Sequence, residues 1–345
     1  MRKKKDITLQ KIADELQLTI HTVSKALRGM PGMSEGTRKQ IFETALRLGY
    51  KTKDQELSVG YEKLPLLSTK RRRFTMILSH DAPFYQIQFL GIQERIQEWG
   101  HSLTGSFLPY LSRDQSEIDR WIDSLDLQYY DGLFIPPIYS EQLERTLLQL
   151  PLPKVLINFP PPLANVDSVI WDVSTAVHQS VNHFFSMGHR KILYIGDIYK
   201  QRGFRLRWTA FRDAMRQIGV AAEPHQHLTD SSVPYEQWLE ELKKKLADGD
   251  FTAILCGVRQ DLPSIIYTLQ SIGLSIPKDI SIINVEDLAN ERFPHQSRPL
   301  LLMKEAGRRA AERLLWRIAN PAEPYEHIRL QGTFYEGNTV RRISE

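Results

Sequence analysis

Apolar residues recur every three or four positions in three short stretches near the start of the chain. The three sets are Ile12, Ala13, Leu16 and Leu18, then Val23, Ala26 and Leu27, then Ile41, Ala45 and Leu48. This spacing predicts three helices, each too short to bury its apolar face except against the other two. Thr8, Thr19 and Ser34 each precede a stretch, where a side-chain oxygen is expected to accept a hydrogen bond from a first-turn amide. The pattern therefore predicts a three-helix unit within residues 7–50.

The turn between the first two predicted helices is very short. Only Gln17, Leu18 and Thr19 separate the two apolar sets, so the helices are expected to cross steeply as a helix-turn-helix. The second helix, residues 20–28, would then present Ile20, His21, Ser24, Lys25 and Arg28 outward. One apolar group and several hydrogen-bond donors suit thymine methyls, guanine acceptors and phosphates. The alternative is an ordinary three-helix bundle with a solvated polar face.

Charge is divided unevenly along the chain. Residues 1–73 hold 17 Lys and Arg against 8 Asp and Glu, a net of +9, whereas the remainder holds 28 against 33, a net of −5. A polyanionic partner for the first segment is the interpretation we favour, since neutralised phosphates release counterions. A basic tail that merely keeps the chain in solution is the alternative.

The sequence of this first segment resembles the LacI/GalR family of bacterial transcription regulators. Residues 9–29 and 33–50 follow that family's opening helices almost position by position, including Thr22-Val23-Ser24 and Leu48-Gly49-Tyr50. The resemblance implies base contacts from Ile20, His21, Lys25 and Arg28, and phosphate-contacting or helix-capping positions at Thr8, Thr19, Thr22, Ser24, Ser34 and Tyr50. Gln17 stands where the family usually has a turn glycine, which costs energy if the backbone there has a positive φ.

Residues 51–73 are polar, charged and without sustained periodicity, which is typical of a linker. The family has a Pro-Asn pair and a hinge helix here, whose leucine wedges into the minor groove, whereas this chain has Thr52 and Lys53. Leu57 or Val59 could still insert, and an unkinked or differently spaced operator is the other possibility. The run from Lys70 to Arg73 either contacts phosphates or is a solvated end of the linker.

From Phe74 onward, short apolar runs alternate with amphipathic helical patterns, and the alternation repeats after residue 175. Buried strands separated by helices predict two doubly wound α/β lobes with parallel sheets. In the resembling family two such lobes form a periplasmic-binding-protein-like clamp. We therefore expect a helix-turn-helix head at 1–52, a linker at 53–73, an N-terminal lobe at 74–172 with 300–332, and a C-terminal lobe at 173–299 with 333–345.

Ligands of open α/β sheets bind outside the carboxyl ends of the strands, so residues that follow the predicted strands are the candidates. We predict effector contacts from Asp81, Phe84, Tyr85, Asn158, Arg207, Trp208, Arg259 and Glu286. Further residues at strand ends are Phe159, Trp171, Asp197, Val258 and Phe293. The aromatic members could stack on a sugar or base ring, or belong to the core.

The resemblance also implies an Asn-Asp sensor pair after residues 252–257, where this chain has Val258 and Arg259. We therefore hypothesise an effector with an anionic group, held by Arg207 and Arg259, because guanidinium groups suit carboxylate and phosphate. The alternative is that Arg259 forms a structural ion pair with Glu286 or Asp261. A sugar or sugar derivative remains the expected effector class, and a protein partner in place of a small ligand remains the alternative.

Other functions have little support in the sequence. There is no apolar run of about 18 residues for a membrane helix and no signal-peptide pattern, so a cytoplasmic protein is expected. Metal-binding, P-loop, nucleophile-elbow and dinucleotide motifs are missing, so we expect no catalysis, metal or cofactor. The single Cys256 is expected to be buried and inert. The prediction is a homodimer that binds double-stranded operator DNA and a small effector; a solute-binding clamp protein is the remaining alternative.

Overall fold

The structure is a computed structural model that describes residues 8–28, 30, 32–48, 50, 71–78, 83–108, 114–138, 140–248, 251–258, 261–286 and 295–343. Residues 51–70 lie outside the described part, and with them the hinge-helix question at Leu57 and Val59. The chain divides into two compact units. The first unit comprises residues 1–169 and 303–328, and the second comprises 170–302 and 329–345. The chain therefore passes from one unit to the other three times.

The helices and strands follow one another as the alternation predicts. The described helices are α1 Leu9–Leu16, α2 Ile20–Leu27, α3 Glu35–Leu48, α4 Pro83–Glu98, α5 Gln115–Ser124, α6 Glu141–Gln149, α7 Val173–Ser186, α8 Arg202–Gln217, α9 Tyr235–Ala247, α10 Leu262–Ser271 and α11 Met303–Ala319. The described strands are β1 Arg73–Leu78, β2 Ser102–Phe107, β3 Gly132–Ile135, β4 Lys154–Leu156, β5 Asp167–Trp171, β6 Ile192–Ile195, β7 Ala253–Cys256, β8 Ser281–Asn284, β9 Arg298–Pro299, β10 His327–Leu330 and β11 Phe334–Tyr335. Short 3-10 turns lie at Leu127–Tyr129 and Pro224–Gln226.

The three N-terminal helices share one small core. Its buried residues are Ile12, Ala13, Val23, Ala26, Ile41 and Ala45, and the half-buried Leu16, Leu18, Leu27 and Leu48 pack against them. Every residue of the three predicted apolar sets is in this cluster. The predicted three-helix unit is confirmed.

A sheet with strand order β10-β5-β4-β3-β1-β2 forms the body of the first unit, and the β1–β2, β1–β3, β3–β4 and β4–β5 pairs are parallel. Helices α5 and α6 cover one face through Trp121, Leu143 and Leu147. Helices α4 and α11 pack closely against each other at glycine positions. A Cβ on Gly307 would lie 2.3 Å from the carbonyl oxygen of Gln88, so only glycine fits there.

The second unit is built on the parallel sheet β6-β7-β8, with β9 and β11 as a separate antiparallel pair. Helices α9 and α10 bury Trp238, Leu242 and Leu269 against one face of the sheet. All four residues of each strand are buried, as expected for strands covered on both faces. The predicted parallel sheets are confirmed in both units.

Apolar spacing and burial disagree in helix α4, which begins at Pro83. The pattern there is misleading, because polar Gln88 is fully buried while apolar Leu90 is 45% exposed. Helices α5 and α9 carry many charged residues between their few buried ones. None of the described helices combines the length and the apolar character that crossing a membrane requires.

Candidate functional site

The turn between α1 and α2 has the tight geometry predicted from its length. Gln17 ends α1 with φ 54° and ψ 39°, in the left-handed region. The amide of Leu18 donates to the carbonyl of Ala13 at 2.9 Å, which closes the helix end in the manner of a Schellman motif. A glutamine therefore occupies a position that favours glycine, and α2 leaves α1 after only three residues.

Two of the three expected helix caps are present. The hydroxyl of Thr19 accepts from the amide of Thr22 at 3.1 Å, and that of Ser34 accepts from the amide of Thr37 at 3.1 Å. The expectation for Thr8 is wrong, because its side chain makes no capping hydrogen bond. The first turn of α1 is closed by the backbone instead, where the amide of Lys11 donates to the carbonyl of Thr8 at 3.1 Å.

Helix α2 has one buried side and one open side. Val23 and Ala26 are fully buried, whereas Ile20 is 43% exposed and His21 and Arg28 are exposed. Thr22, Ser24 and Lys25 are half-buried on the flanks of this open side. We name α2 the recognition helix. Its open side carries one aliphatic side chain, one imidazole and two cations on a rigidly packed element.

The side chain of Lys25 lies against the loop that follows the recognition helix, which the sequence pattern does not reveal. Gly32 has φ +101°, and a Cβ there would lie only 2.7 Å from Nζ of Lys25, so the ammonium group rests over the glycine. Arg38 donates to the carbonyl of Met30 at 2.7 Å, and the amide of Met30 donates to the carbonyl of Lys25 at 2.9 Å. Arg38 therefore ties this loop to α3.

The arginines that end the linker are attached to the first unit. The backbone amide of Arg73 donates to Asp131 at 2.9 Å, and the guanidinium group of Arg72 lies 3.6 Å from the same carboxylate. Nε of Arg71 donates to the carbonyl of Gly100 at 3.1 Å. Lys70 lies outside the described residues. At the end of the head, the amide of Tyr50 donates to Ala45 at 2.9 Å, and its side chain joins the head cluster.

The predicted effector residues of the first unit are close to strand ends. The rings of Phe84 and Tyr85 stack with centroids 4.2 Å apart, and the hydroxyl of Tyr85 donates to the carbonyl of Pro137 just after β3. Asn158, two residues after β4, is 8% exposed and accepts from the amide of Phe159 at 2.8 Å. Asp81 lies outside the described residues.

Arg207 and Glu286 are brought together in the second unit. Nη1 of Arg207 donates to Glu286 at 3.0 Å and to the carbonyl of Gly257, which directly follows β7. Arg207 is 4% exposed, and among the described residues its Nε has no hydrogen-bond partner. Because Glu286 neutralises this guanidinium group, Arg207 is not a free cation. Arg259 and Phe293 lie outside the described residues.

Trp208 belongs to the core of the second unit. It is 5% exposed, and its ring lies 5.2 Å from Tyr194, 5.6 Å from Phe211 and 5.3 Å from His227 by centroids. Trp208 was expected either to stack on a ligand ring or to belong to the core, and its contacts match core packing. Burial lowers the pKa of His227 to about 3, so this histidine is a neutral member of the cluster.

Two more carboxylates lie near these strand ends, and they differ in their surroundings. Burial of Asp197, after β6, acts to raise its pKa, but its carboxylate accepts hydrogen bonds from the amides of Tyr199 and Lys200 and from Ser231, and together these hold the pKa below the ordinary value. Asp261 begins α10 without a side-chain capping bond. Burial and the nearby charge of Asp197 raise the pKa of Asp261 to about 6.

Burial also raises the pKa of the Cys256 thiol, as expected for an inert cysteine. Among the described residues, no group of three or more His, Cys, Asp or Glu side chains could hold a metal ion.

Comparison with known proteins agrees with both parts of this architecture. A family model described as a periplasmic binding protein-like domain matches residues 181–340. The HTH-type transcriptional repressor PurR of Glaesserella parasuis serovar 5 is 25% identical over 333 residues, which span 92% of this chain and 93% of the relative. The similarity to this repressor extends over most of the chain, so it is not confined to the part that matches the periplasmic binding protein-like domain.

Solved structures show the same LacI/GalR fold. The crystal structure of the lac repressor dimer bound to operator and the anti-inducer ONPF has a TM-score of 0.65 at 16% identity and covers 98% of this chain and 100% of that one. The complex of the transcriptional regulator CelR with cellobiose has a TM-score of 0.67 at 19% identity and covers 96% and 99%. At these identities the comparison establishes the fold only. The ligand of this chain has to be inferred from its own residues.

Proposed function

We propose that this protein is a repressor that binds a two-fold operator through the recognition helix and whose operator affinity is set by a small, hydroxyl-rich effector. The observation that carries the proposal is the open side of α2. Val23 and Ala26 hold the helix in the head, and Ile20, His21, Lys25 and Arg28 are left on its other side and flanks. An aliphatic contact to thymine methyls and donors to guanine or phosphate are what major-groove recognition requires.

DNA binding can be tested with a fluorescent duplex taken from the region upstream of the protein's own gene. We expect His21→Ala and Lys25→Ala each to weaken specific binding by about 5- to 100-fold, since one good base contact contributes about 1 to 3 kcal/mol. The duplex is titrated by fluorescence anisotropy, with a scrambled duplex measuring non-specific binding.

Lys39→Ala is the matched control. Lys39 is an exposed cation of the same head, on α3, and its nearest charged partner is Glu43 at 3.9 Å. Its removal is expected to change specific and scrambled binding alike and only slightly. If His21→Ala and Lys25→Ala both bind the specific duplex as tightly as the unmodified protein, the assignment of the recognition helix is wrong.

The effector class follows from the donors and acceptors at the strand ends of the second unit. Glu286 and Asp261 offer carboxylate oxygens, and Nε of Arg207 offers a donor without a partner among the described residues. Sugar hydroxyls both donate and accept, so they complement such a mixed set. We do not extend the anionic-group hypothesis to Arg207, because Glu286 already neutralises its charge.

Thermal-shift measurements against neutral sugars, sugar phosphates and nucleobases distinguish these classes. We expect stabilisation by one or more neutral sugars, and loss of that stabilisation in Glu286→Gln. Ser264→Ala, at a half-buried position of α10 whose hydroxyl is hydrogen-bonded to the hydroxyl of Tyr235, is the control and is expected to keep the response. Stabilisation by sugar phosphates alone would instead support an anionic effector, with Arg259 as the cation to test.

Binding of a two-fold operator requires two copies of the chain, so we propose a homodimer with half-sites about 10 base pairs apart or a multiple of that distance. As a regulator of chromosomal genes it would act in the bacterial cytoplasm. We retain a head at 1–52, a linker at 53–73 and two effector-binding lobes as the functional organisation. Limited proteolysis is expected to cut first within 53–70, and sedimentation of the intact protein measures the dimer.

A further inference from the structure

One side chain of the recognition helix is less free than the others on its open side. Lys25 lies in the last turn of α2 and is half-buried, whereas His21 and Arg28 are exposed. A lysine that reads a base has to bring its ammonium group to the acceptors of that base, although its four-carbon stem is flexible. The surroundings of Lys25 therefore bear on how well it can discriminate between bases.

The glycine at position 32 leaves the space that the end of Lys25 occupies. A Cβ added to Gly32 would lie 2.7 Å from Nζ of Lys25 and 3.6 Å from its Cε. Apart from the adjacent residues of the chain, no other described atom lies within 4 Å of that Cβ. Optimal contact between non-bonded carbon atoms is at roughly 3.5 to 4.0 Å. A side chain at position 32 would therefore displace the ammonium group of Lys25 before it disturbed the core of the head.

Hydrogen bonds attach the loop that contains Gly32 to the helices on either side of it. The amide of Met30 donates to the carbonyl of Lys25 at 2.9 Å, and Arg38 of α3 donates to the carbonyl of Met30 at 2.7 Å. At the other end of the loop, the hydroxyl of Ser34 caps α3. Gly32 therefore lies between two attached ends of a short loop.

We propose that Gly32 is a positioning residue for operator recognition, which allows the ammonium group of Lys25 to lie where it reads one base pair. A lysine that already lies against an attached loop loses less conformational entropy on binding and reaches fewer of the neighbouring bases. Gly32 acts only through Lys25. The inference rests on the proposed operator binding and names a residue that sets its specificity.

Base discrimination can be measured with duplexes that differ at single positions. Each base pair of a specific duplex from the region upstream of the gene is exchanged in turn, and binding of the full-length protein is followed by fluorescence anisotropy at one salt concentration. Lys25→Ala is expected to lower discrimination at one position of each half-site. We expect Gly32→Asn to lower discrimination at the same position by about threefold or more, and to leave the other positions unchanged.

A double-mutant cycle separates positioning from folding. Gly32 has φ +101°, which favours glycine for folding alone, and asparagine tolerates positive φ better than most residues. A general disturbance of the head would weaken binding with or without Lys25, whereas loss of positioning requires Lys25 to be present. We therefore expect Gly32→Asn to change discrimination very little in a Lys25→Ala background. Gly36→Ala, at an exposed position of α3, is the control and should change discrimination at no position.

Arg38→Gln tests the same inference without adding a side chain at position 32. Loss of the hydrogen bond to Met30 releases the loop from α3, so discrimination is expected to fall at the Lys25 position here too. The ratio of affinities for two duplexes that differ only at that position cancels any contact of Arg38 with phosphates. If circular dichroism shows that Gly32→Asn does not fold, the result for Arg38→Gln decides.

Three results would overturn the inference. The first is full discrimination at the Lys25 position in both Gly32→Asn and Arg38→Gln. The second is an effect of Gly32→Asn that is equally large with and without Lys25, and the third is an equal loss at every position of the operator. If Lys25→Ala itself changes discrimination at no position, Lys25 is not a reader, and the failure then lies in the proposed function.

Discussion

Individual residues show most directly where this chain departs from the best choice for stability. Gln17 adopts a left-handed backbone between α1 and α2, and Asp261 is a carboxylic acid in a buried setting next to other carboxylates. Both are adjacent to the surfaces to which we assign function. The sequence marked Gln17 as a departure from the family's glycine, but the pKa of Asp261 depends on neighbours that are distant in sequence.

Gln17→Gly is expected to stabilise the head by about 1 kcal/mol, because it relieves the left-handed strain. Amide exchange of Val23 and Ile41 in the full chain, followed by NMR, should slow by roughly fivefold if the head opens as a unit. Lys11→Gly, at an exposed position in α1 with ordinary helical geometry, is the matched control and should speed exchange by a similar factor. Faster exchange in Gln17→Gly would show that the glutamine side chain contributes more than the strain costs.

Asp261 is expected to make the stability of the second unit depend on pH. Its pKa is raised to about 6 in the folded chain, so folding favours the protonated acid. The resulting stabilisation is complete below the ordinary value near 3.8 and is lost as the pH rises through 6. Asp261→Asn should therefore be more stable than the unmodified protein by about 1 to 3 kcal/mol at pH 7.5, with the difference shrinking at pH 5. Denaturant unfolding at the two pH values measures it, and a difference independent of pH would contradict this assignment.

Helices and strands were predictable wherever burial follows apolar spacing. The strands of both sheets and the three head helices obey that rule, since almost every inward position is apolar. Helix α4 does not, because its contact with α11 is so close that the buried amide of Gln88 lies at the crossing, and periodicity cannot reveal a partner more than 200 residues away. Arg207 and Glu286 were predicted as separate strand-end residues, but their pairing depends on the sheet that aligns α8 with the end of β8.

The link between β5 and α11 is a buried ionic cluster whose disruption should be costly. Asp167 is fully buried and accepts from Arg313 at 2.7 Å, from Arg317 at 2.5 Å and from the amide of Glu326 at 2.9 Å. Asp167→Asn would leave the buried guanidinium group of Arg317 without its counter-charge and Arg313 with Glu326 alone, so we expect a loss of about 3 to 5 kcal/mol in the free energy of unfolding. Urea unfolding monitored by circular dichroism gives the value.

The exposed ion pairs between α4 and α11 provide a control for the Asp167→Asn substitution. Glu94 pairs with Lys304 at 2.8 Å and with Arg308 at 3.4 Å on the outer side of α4 and α11. Glu94→Gln should cost about 1 kcal/mol or less, because solvent screens exposed pairs. Equal losses in the free energy of unfolding for Asp167→Asn and Glu94→Gln would mean that burial does not increase the cost of disrupting the ion pairs of Asp167.

Positive and negative net charge lie in different parts of the chain, one proposed to bind DNA and the other proposed to bind the effector. The net charge is +9 over residues 1–73 and −5 over the rest. This division, the resemblance to a family of regulators and the general fold could all be inferred from the sequence. The effector could not, because its recognition depends on side chains from several strand ends, and Arg259, one of the candidates, lies outside the described residues.

Operator affinity should depend strongly on salt, whereas effector affinity should not. With about six phosphate contacts, raising the salt concentration from roughly 50 to 200 mM should lower operator affinity about a thousandfold. A neutral sugar bound by the acidic remainder of the chain releases few ions, so its affinity is expected to change by less than about twofold. Fluorescence anisotropy and calorimetry over the same salt series measure the two quantities. A flat operator curve would mean that the basic segment does not contact phosphates.

The threefold passage of the chain between its units also bears on the order of events during synthesis. Helix α4 packs on α11, and Arg95 donates to Glu312 at 2.9 Å across 217 residues of sequence. On the ribosome, the face of α4 that α11 covers stays open until the whole β6-β7-β8 sheet has been made. The strands of the second unit can therefore associate before α11, the last helix of the first unit, has been synthesised. A chain truncated before residue 303 would leave both units incomplete, since the first would lack residues 303–328 and the second would lack residues 329–345.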